Sequence, residues 1–160
     1  MSKEVLIIAH CKEWCEEVFK YSIDLIDPTK YKIYFVRNMV ELRDTCETLK
    51  QCRIFFVHWS WIVDSSILKN FDCICFHMTD LPYGRGGSPL QNLITRGHSD
   101  TKISAIKMTN RLDAGPIYSK RGLSLEGAAH EIFLRASKIC IEMVIDIIQS
   151  NPTPIEQQGE

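Results

Sequence analysis

The chain lacks any apolar run long enough to cross a bilayer. Its longest unbroken apolar runs have only a few residues, far short of the roughly 20 that a membrane-spanning helix needs. The early run VLIIA is soon interrupted by His10 and Lys12, so it is also too short for a signal peptide. These features predict a cytoplasmic protein with no membrane partner.

An excess of charge of one sign is also missing. The chain has 19 basic and 20 acidic residues, a formal net charge of −1, and its Lys and Arg residues are scattered. Because nucleic-acid-binding proteins usually carry a basic patch, a large RNA partner is not expected. The composition is compatible with either a monomer or a homo-oligomer.

Paired cysteine motifs are absent as well. The seven cysteines are an odd number without CxxC spacing, which is typical of free thiols in a reducing compartment. Cys11 and Cys15 lie four positions apart, but this is not the spacing of a zinc site. We therefore expect no metal.

The glycine-rich segment Gly84-Arg85-Gly86-Gly87 is not followed by Gly-Lys-Ser/Thr, and the dinucleotide fingerprint is absent. A nucleoside triphosphate loop and a nicotinamide site are thus not indicated. The segment is interpreted as a turn that lets the backbone pass close to another group.

What the chain does contain is a regular alternation of short apolar runs and amphipathic ones. Alternating strands and helices favour parallel pairing through right-handed crossovers, giving an open α/β sheet with helices on both faces. The predicted strands are 5–9, 31–36, 53–58 and 73–77, and the predicted helices are 13–26, 40–49 and 64–68.

The pattern changes in the second half. A short helix is predicted over 89–96, with Ser88 as its N-cap and Pro89 at its first position. Strands at 102–109 and 116–120 are joined by so short a turn that they must pair antiparallel. A long helix over 126–149 completes a single domain, residues 1–149, and residues 150–160 are expected to be a flexible tail.

Two side chains have the chemistry of an acid–base pair. His77 ends a predicted interior strand, where ligand crevices of open sheets form, and Asp113 lies in a tight turn. His58 is interpreted as a half-buried histidine rather than a catalyst. Surface or cap positions are expected for His10, His98 and His130.

The segments FHMTDLPYGRGGSP (76–89) and LDAGPIY (112–118) together resemble the signature of the folate-dependent formyltransferases. That signature is roughly Asn-x-His-x-Ser-Leu-Leu-Pro-x-x-Arg-Gly, followed later by Asp-x-Gly. The resemblance covers roughly residues 5–148. It implies a Rossmann-like three-layer α/β fold, a mostly parallel sheet with a late antiparallel strand pair, and 10-formyltetrahydrofolate as co-substrate.

Carried over position by position, the resemblance implies catalytic roles for His77 and Asp113. It implies that the segment Ser60, Trp61, Ile62 and Val63 holds the pterin ring through main-chain groups. It also implies substrate-binding roles, for which the candidates are Thr79, Arg85, Gly86 and Asn92.

The chain departs from the signature at Cys75, where the family has asparagine. A thiol is a poor hydrogen-bond donor, so an amide that would steady the formyl oxygen is missing or is supplied from elsewhere. Asn92 is a candidate substitute. The departure leaves two readings open, an active formyltransferase and a non-catalytic folate- or nucleotide-binding domain of the same fold.

In the family that the chain resembles, members that act on methionyl-tRNA carry an additional C-terminal domain, and this chain is expected to stop at its closing helix. Together with the neutral charge, this counts against tRNA as a partner. An amino sugar on a nucleotide, or another small-molecule amine, is the expected acceptor. A truncated protein of the methionyl-tRNA formyltransferase kind is the alternative.

Overall fold

The computed structural model describes residues 1–159 and contains the predicted alternation of strands and helices. Within the described residues the strands are β1 (Glu4–His10), β2 (Tyr31–Val36), β3 (Arg53–Val57), β4 (Asp72–His77), β5 (Asp100–Lys107) and β6 (Ile117–Ser124). The helices are α1 (Glu13–Ser22), α2 (Met39–Glu47), α3 (Ser65–Asn70), α4 (Pro89–Thr95) and α5 (Ala129–Ser150).

Contacts divide the chain into two compact units, Met1–Ile74 and a second that begins at Cys75. In the first unit β1 lies between β2 and β3 and pairs with both in parallel. The apolar run Leu6-Ile7-Ile8-Ala9 of β1 is at most 2% exposed, as expected for a strand covered on both faces. The alternation seen in the sequence therefore does produce parallel pairing here.

His10, at the end of β1, departs from expectation, and so does the helix predicted over 13–26, which ends at Ser22 and is followed by a single 3-10 turn, Ile23–Leu25. A surface or cap position was expected for His10, but its side chain is fully buried, because β1 extends one residue beyond its apolar run. Burial lowers the pKa of His10, although a hydrogen bond to the Lys12 carbonyl acts in the opposite direction. His98 and His130 are exposed, as expected.

The sheet has six strands in the order β2-β1-β3-β4-β5-β6. β5 and β6 pair antiparallel, so the predicted mostly parallel sheet with a late antiparallel pair is confirmed. The bounds differ, since β5 begins at Asp100 and β6 continues to Ser124. The full length of β6 was not predicted, because this strand contains the polar run Ser119-Lys120-Arg121-Gly122, which has no apolar pattern.

In the second unit, α5 supplies much of the apolar core. Its buried face recurs at helical spacing, and each fully buried aliphatic side chain contributes about 1.5–3 kcal/mol of transfer free energy. This face includes Ile132, Ala136, Cys140, Met143, Val144 and Ile147, each at most 3% exposed. No helix in residues 1–159 is long and apolar enough to cross a bilayer.

After α5 the chain makes specific contacts with β6. The amide of Ile117 donates to the carbonyl of Ile155 over 2.7 Å, and the amide of Ile155 donates to the carbonyl of Ile117 over 2.9 Å. These bonds form an isolated antiparallel bridge. The division into one domain and a flexible tail stays a prediction.

The start of α4 was predicted correctly, but its capping was not. Ser88 occupies the N-cap position in the left-handed region, with φ of 54°, and its side chain makes no capping hydrogen bond. A serine caps through its hydroxyl only when its own backbone is extended. The fixed φ of Pro89 at the first turn therefore marks the helix start.

Candidate active site

The candidate site lies in the second unit, at the carboxyl end of β4. His77 is the last residue of this strand and is buried, and Cys75 lies two positions earlier, half-buried. Since side chains alternate along a strand, Cys75 and His77 project from the same face of β4. The family asparagine position and the histidine are therefore on one side of the strand.

The imidazole of His77 is held by the glycine-rich segment. Its Nε2 atom lies 2.7 Å from the carbonyl oxygen of Gly84. A carbonyl oxygen can only accept, so Nε2 carries the proton and donates. This assigns the tautomer and leaves Nδ1 as the ring nitrogen that faces Asp113.

Asp113 is positioned by the same segment. Its Oδ2 accepts a hydrogen bond of 2.9 Å from the backbone amide of Gly86, and its Oδ1 lies 3.6 Å from Nδ1 of His77. The second distance is too long for a hydrogen bond. The pair is thus aligned, and each residue keeps one atom that the glycine-rich segment does not use.

The backbone at Asp113 is unusual, because its φ of 51° is in the left-handed region. Aspartate tolerates this region better than most residues. Gly115 nearby approaches the carbonyl oxygen of Lys107 so closely that a Cβ atom there would overlap it. The Asp-x-Gly pattern therefore has a backbone requirement at both named positions.

A second charged group lies beside β4. Asp80 Oδ1 accepts a hydrogen bond of 2.5 Å from Nζ of Lys120, which also donates to the Leu81 carbonyl over 2.6 Å. The hydrogen bond from Lys120 lowers the pKa of Asp80, and the nearby charge of Lys102 acts in the same direction. Lys120 thereby fixes the position of Asp80 and Leu81. Thr79, the residue before them, is buried.

The other predicted substrate-binding residues have contacts within the same unit. Asn92 is exposed, and its side-chain amide donates to the Gly87 carbonyl over 3.2 Å. Nη2 of Arg85 donates to the side-chain oxygen of Gln157 over 2.8 Å. Nε of Arg85 is buried and has no hydrogen-bond partner among residues 1–159. Arg85 is therefore fixed to Gln157 through one nitrogen, and a second nitrogen is buried beside it.

The predicted pterin segment lies in the first unit, after β3. Trp61 and Ile62 are exposed by 46% and 93%, while Val63 is buried. Ser60 is also exposed, and its hydroxyl is 3.2 Å from Sγ of Cys11. The segment thus has two large apolar side chains in solvent, as a binding surface for a flat heterocycle would.

The chain is similar to several proteins of known structure. A methionyl-tRNA formyltransferase from Clostridium thermocellum is 44% identical and superimposes with a TM-score of 0.88. This match covers 98% of the chain and 70% of that protein. The chain belongs to the formyltransferase family. The resemblance read from the two sequence segments is therefore confirmed.

Two further formyltransferase-fold comparisons agree. The methionyl-tRNA formyltransferase of Bacillus subtilis is 27% identical over 153 residues, which is 91% of the chain and 46% of that protein. HypX from Aquifex aeolicus in complex with tetrahydrofolic acid has a TM-score of 0.72 at 12% identity, covering 98% of the chain and 28% of that protein, which shows the fold alone. The chain spans less than half the length of the curated relatives it matches. No family model matches it.

Sequence reasoning missed two parts of this candidate site. The carbonyl of Gly84, which binds the imidazole, was hidden because a main-chain group leaves no trace in a sequence. Gln157 was missed because a single polar residue in a polar C-terminal segment carries no pattern. The structure brings together His77, Asp113, Gly84 and Gly86, but the roles assigned to individual residues stay predictions.

Proposed function

We propose that the protein transfers a formyl group from 10-formyltetrahydrofolate to a primary amine. The observation that carries this proposal is the anchoring of His77 and Asp113 to one glycine-rich segment, through Gly84 and Gly86. Each anchor fixes one polar atom of the side chain and directs the other toward its partner. An acid–base pair with fixed orientation is what direct acyl transfer to an amine requires.

In this proposal Nδ1 of His77 stabilises the developing oxyanion. Attack of the amine on the formyl carbon gives a tetrahedral species with negative charge on oxygen. With Nε2 committed to Gly84, Nδ1 is the ring atom left to donate to that oxygen when it is protonated. Oδ1 of Asp113 lies 3.6 Å from this ring atom, so the carboxylate also faces the reacting formyl group.

Asp113 handles the proton that the amine loses. The bond between the amine nitrogen and the formyl carbon forms, and the bond between that carbon and N10 of the folate breaks. The amine proton passes to Oδ1 of Asp113, directly or through a water, and then to N10 of the leaving tetrahydrofolate. No covalent enzyme intermediate is needed, and Oδ2 remains bound to the Gly86 amide throughout.

The co-substrate is held by the first unit in this proposal. Main-chain groups of Ser60 to Val63 recognise the pterin, and the exposed side chains of Trp61 and Ile62 cover its apolar surface. Large, exposed apolar side chains in adjacent positions are typical of binding surfaces. The support for a folate is the family membership together with the tetrahydrofolate complex of the fold neighbour HypX.

The acceptor proposed first is a small amine, such as an amino sugar on a nucleotide. The net charge of −1 does not favour a polyanion as large as tRNA, because tRNA affinity depends on clustered cations. The positive charge of Arg85, within the glycine-rich segment that anchors the pair, supports a single anionic group on the acceptor. Thr79, Gly86 and Asn92 complete the proposed acceptor side.

Methionyl-tRNA is a second candidate acceptor, favoured by the 44% identity to the Clostridium thermocellum protein. The chain spans less than half the length of its curated relatives. A non-catalytic folate-binding domain is the third reading, and Cys75 is the observation that favours it.

One assay separates these three functions. The protein is incubated with 10-formyltetrahydrofolate and either amino-sugar nucleotides or methionyl-tRNA, and tetrahydrofolate release is followed together with acceptor mass. A mass gain of one formyl group on a small amine supports the first proposal, and on methionyl-tRNA the second. Folate binding by calorimetry without any transfer supports the non-catalytic reading.

A further inference from the structure

Gln157 connects the two segments that hold the proposed catalytic pair. Its Nε2 atom donates to the carbonyl oxygens of Asp113 and Gly115, each over 2.8 Å, and its Oε1 accepts from Arg85 over 2.8 Å. We propose that Gln157 is a positioning residue that fixes Asp113 relative to the glycine-rich segment. This inference rests on the proposed formyl transfer for its catalytic consequence, but not for its structural one.

The orientation of the Gln157 amide follows from its partners. Main-chain carbonyls only accept hydrogen bonds, and a guanidinium only donates them. The NH2 group must therefore face Asp113 and Gly115, and the oxygen must face Arg85. All the strong hydrogen-bonding directions of the amide nitrogen are used, so the side chain has a single orientation.

The Asp113 backbone is a place where such a contact has an effect. Its φ of 51° is a conformation that non-glycine residues seldom adopt. The peptide groups on its carboxyl side present their oxygens to Gln157, so rotation of this turn would break two hydrogen bonds. Gln157 thus opposes relaxation of Asp113 out of the geometry in which Oδ1 faces His77.

The opposite end of the amide reaches the other segment. Arg85 lies between Gly84, which binds the imidazole, and Gly86, whose amide binds Asp113. Through Arg85, one carboxamide therefore links the backbone on both sides of the pair. The adjacent bridge between Ile155 and Ile117 brings Gln157 to this position.

The neighbouring Gln158 offers a matched control, because it has the same side chain and is exposed. Gln157→Ala removes all three bonds. Gln157→Glu keeps a partner for Arg85 but loses both donors to the carbonyls of Asp113 and Gly115. If the link through Arg85 alone mattered, Gln157→Glu would behave as wild type, whereas positioning of Asp113 predicts that it behaves as Gln157→Ala.

The first measurement is amide hydrogen exchange, followed residue by residue by NMR. We expect the Gly86 amide, which donates to Asp113, to exchange at least about tenfold faster in Gln157→Ala and Gln157→Glu, with no change in Gln158→Ala. Unchanged protection of Gly86 in Gln157→Glu overturns the positioning role. This readout does not depend on any enzymatic activity.

The second measurement is formyl transfer. The same two variants are expected to lower kcat by at least about tenfold while the KM for the folate stays within about twofold. A fall in kcat that is accompanied by a lower Tm and by a rise of more than about twofold in the KM for the folate would indicate a merely structural role and contradict the proposal. If wild type transfers no formyl group, the proposed function fails, and hydrogen exchange still decides whether Gln157 positions Asp113.

Discussion

His77 and Asp113 face each other across 3.6 Å between Nδ1 and Oδ1, and each is anchored from behind by the same glycine-rich segment. The two residues come from distant parts of the second unit, one at the end of β4 and the other in the turn before β6. Their alignment therefore depends on the backbone of a third segment, not on a direct hydrogen bond.

The first prediction concerns this pair. Asp113→Asn keeps the shape of the side chain but removes its charge and its capacity to take a proton, so we expect kcat to fall at least about 10²-fold. Folate affinity should remain close to that of wild type. Steady-state kinetics and calorimetry measure the two quantities, and near-full transfer by Asp113→Asn would show that the site is assigned wrongly.

His77→Asn should be comparably damaging, because the imidazole supplies the donor to the oxyanion. The double variant His77→Asn/Asp113→Asn should be little worse than either single one, since residues that act as a unit give strongly non-additive losses. Multiplicative losses in this double-mutant cycle would mean that the two side chains act independently.

The second prediction concerns Cys75, which projects from the same face of β4 as His77. If no other donor has replaced the family asparagine, Cys75→Asn should raise kcat by about 10-fold or more, because an oxyanion donor is worth on the order of 10²–10³ in rate. Cys75→Ala is the control and should be mild. A decrease in kcat in Cys75→Asn would indicate that the site has been rebuilt around the thiol.

The third prediction tests main-chain recognition of the pterin. Val63→Pro removes a backbone donor and should weaken folate binding more than Trp61→Ala does. Because Val63 is buried, Val63→Ala is needed as a control that loses packing but keeps the N–H. Isothermal calorimetry with 10-formyltetrahydrofolate gives the Kd values. Equal affinities of Val63→Pro and Val63→Ala would contradict backbone recognition.

The fourth prediction concerns acid stability and His58. Burial lowers the pKa of His58 to about 4, from about 6.5 in an unfolded chain. Between these two values the unfolded chain binds a proton that the native protein does not, so the free energy of unfolding falls as pH decreases through this window. By pH 4 the loss amounts to about 3 kcal/mol.

Urea unfolding at several pH values from about 7 to about 4 checks this effect. His58→Asn is suitable because asparagine accepts the left-handed backbone at this position, where φ is 51°. The variant should show a flatter pH dependence than wild type. His130→Asn, at an exposed histidine, should not, and equal slopes for all three proteins would refute the prediction.

Much of the fold could be predicted because buried parallel strands are written as apolar runs. β1, β2 and β3 were found within one or two residues for this reason, and the short connection before β6 correctly indicated antiparallel pairing. The full extent of β6 was not predicted, since Lys120 and Arg121 make polar contacts with Asp80 and with Glu142 and Asp146. Such contacts depend on partners far away in sequence.

For the candidate site, the sequence predicted which residues take part but not the contacts that they make. His77 and Asp113 were identified from a motif, but the motif does not say which atoms of the two side chains are already occupied. That information comes from the main-chain carbonyl of Gly84 and the main-chain amide of Gly86. Because almost every residue type has these groups, the sequence does not reveal which of them make the contacts. Gln157 could not be found for a related reason, because its importance lies in the main-chain oxygens it contacts.

The bridge between Ile155 and Ile117 has a consequence for how copies of this protein meet. β6 is the last strand in the order of the sheet, and an outer strand with open amides and carbonyls invites pairing with another polypeptide. Here Ile155 takes up both hydrogen-bonding groups of Ile117, and the charged side chains of Lys120 and Arg121 follow along the same strand. At its first residue the outer strand is thereby covered by the chain itself, and the charges that follow disfavour growth of the sheet from one molecule to the next.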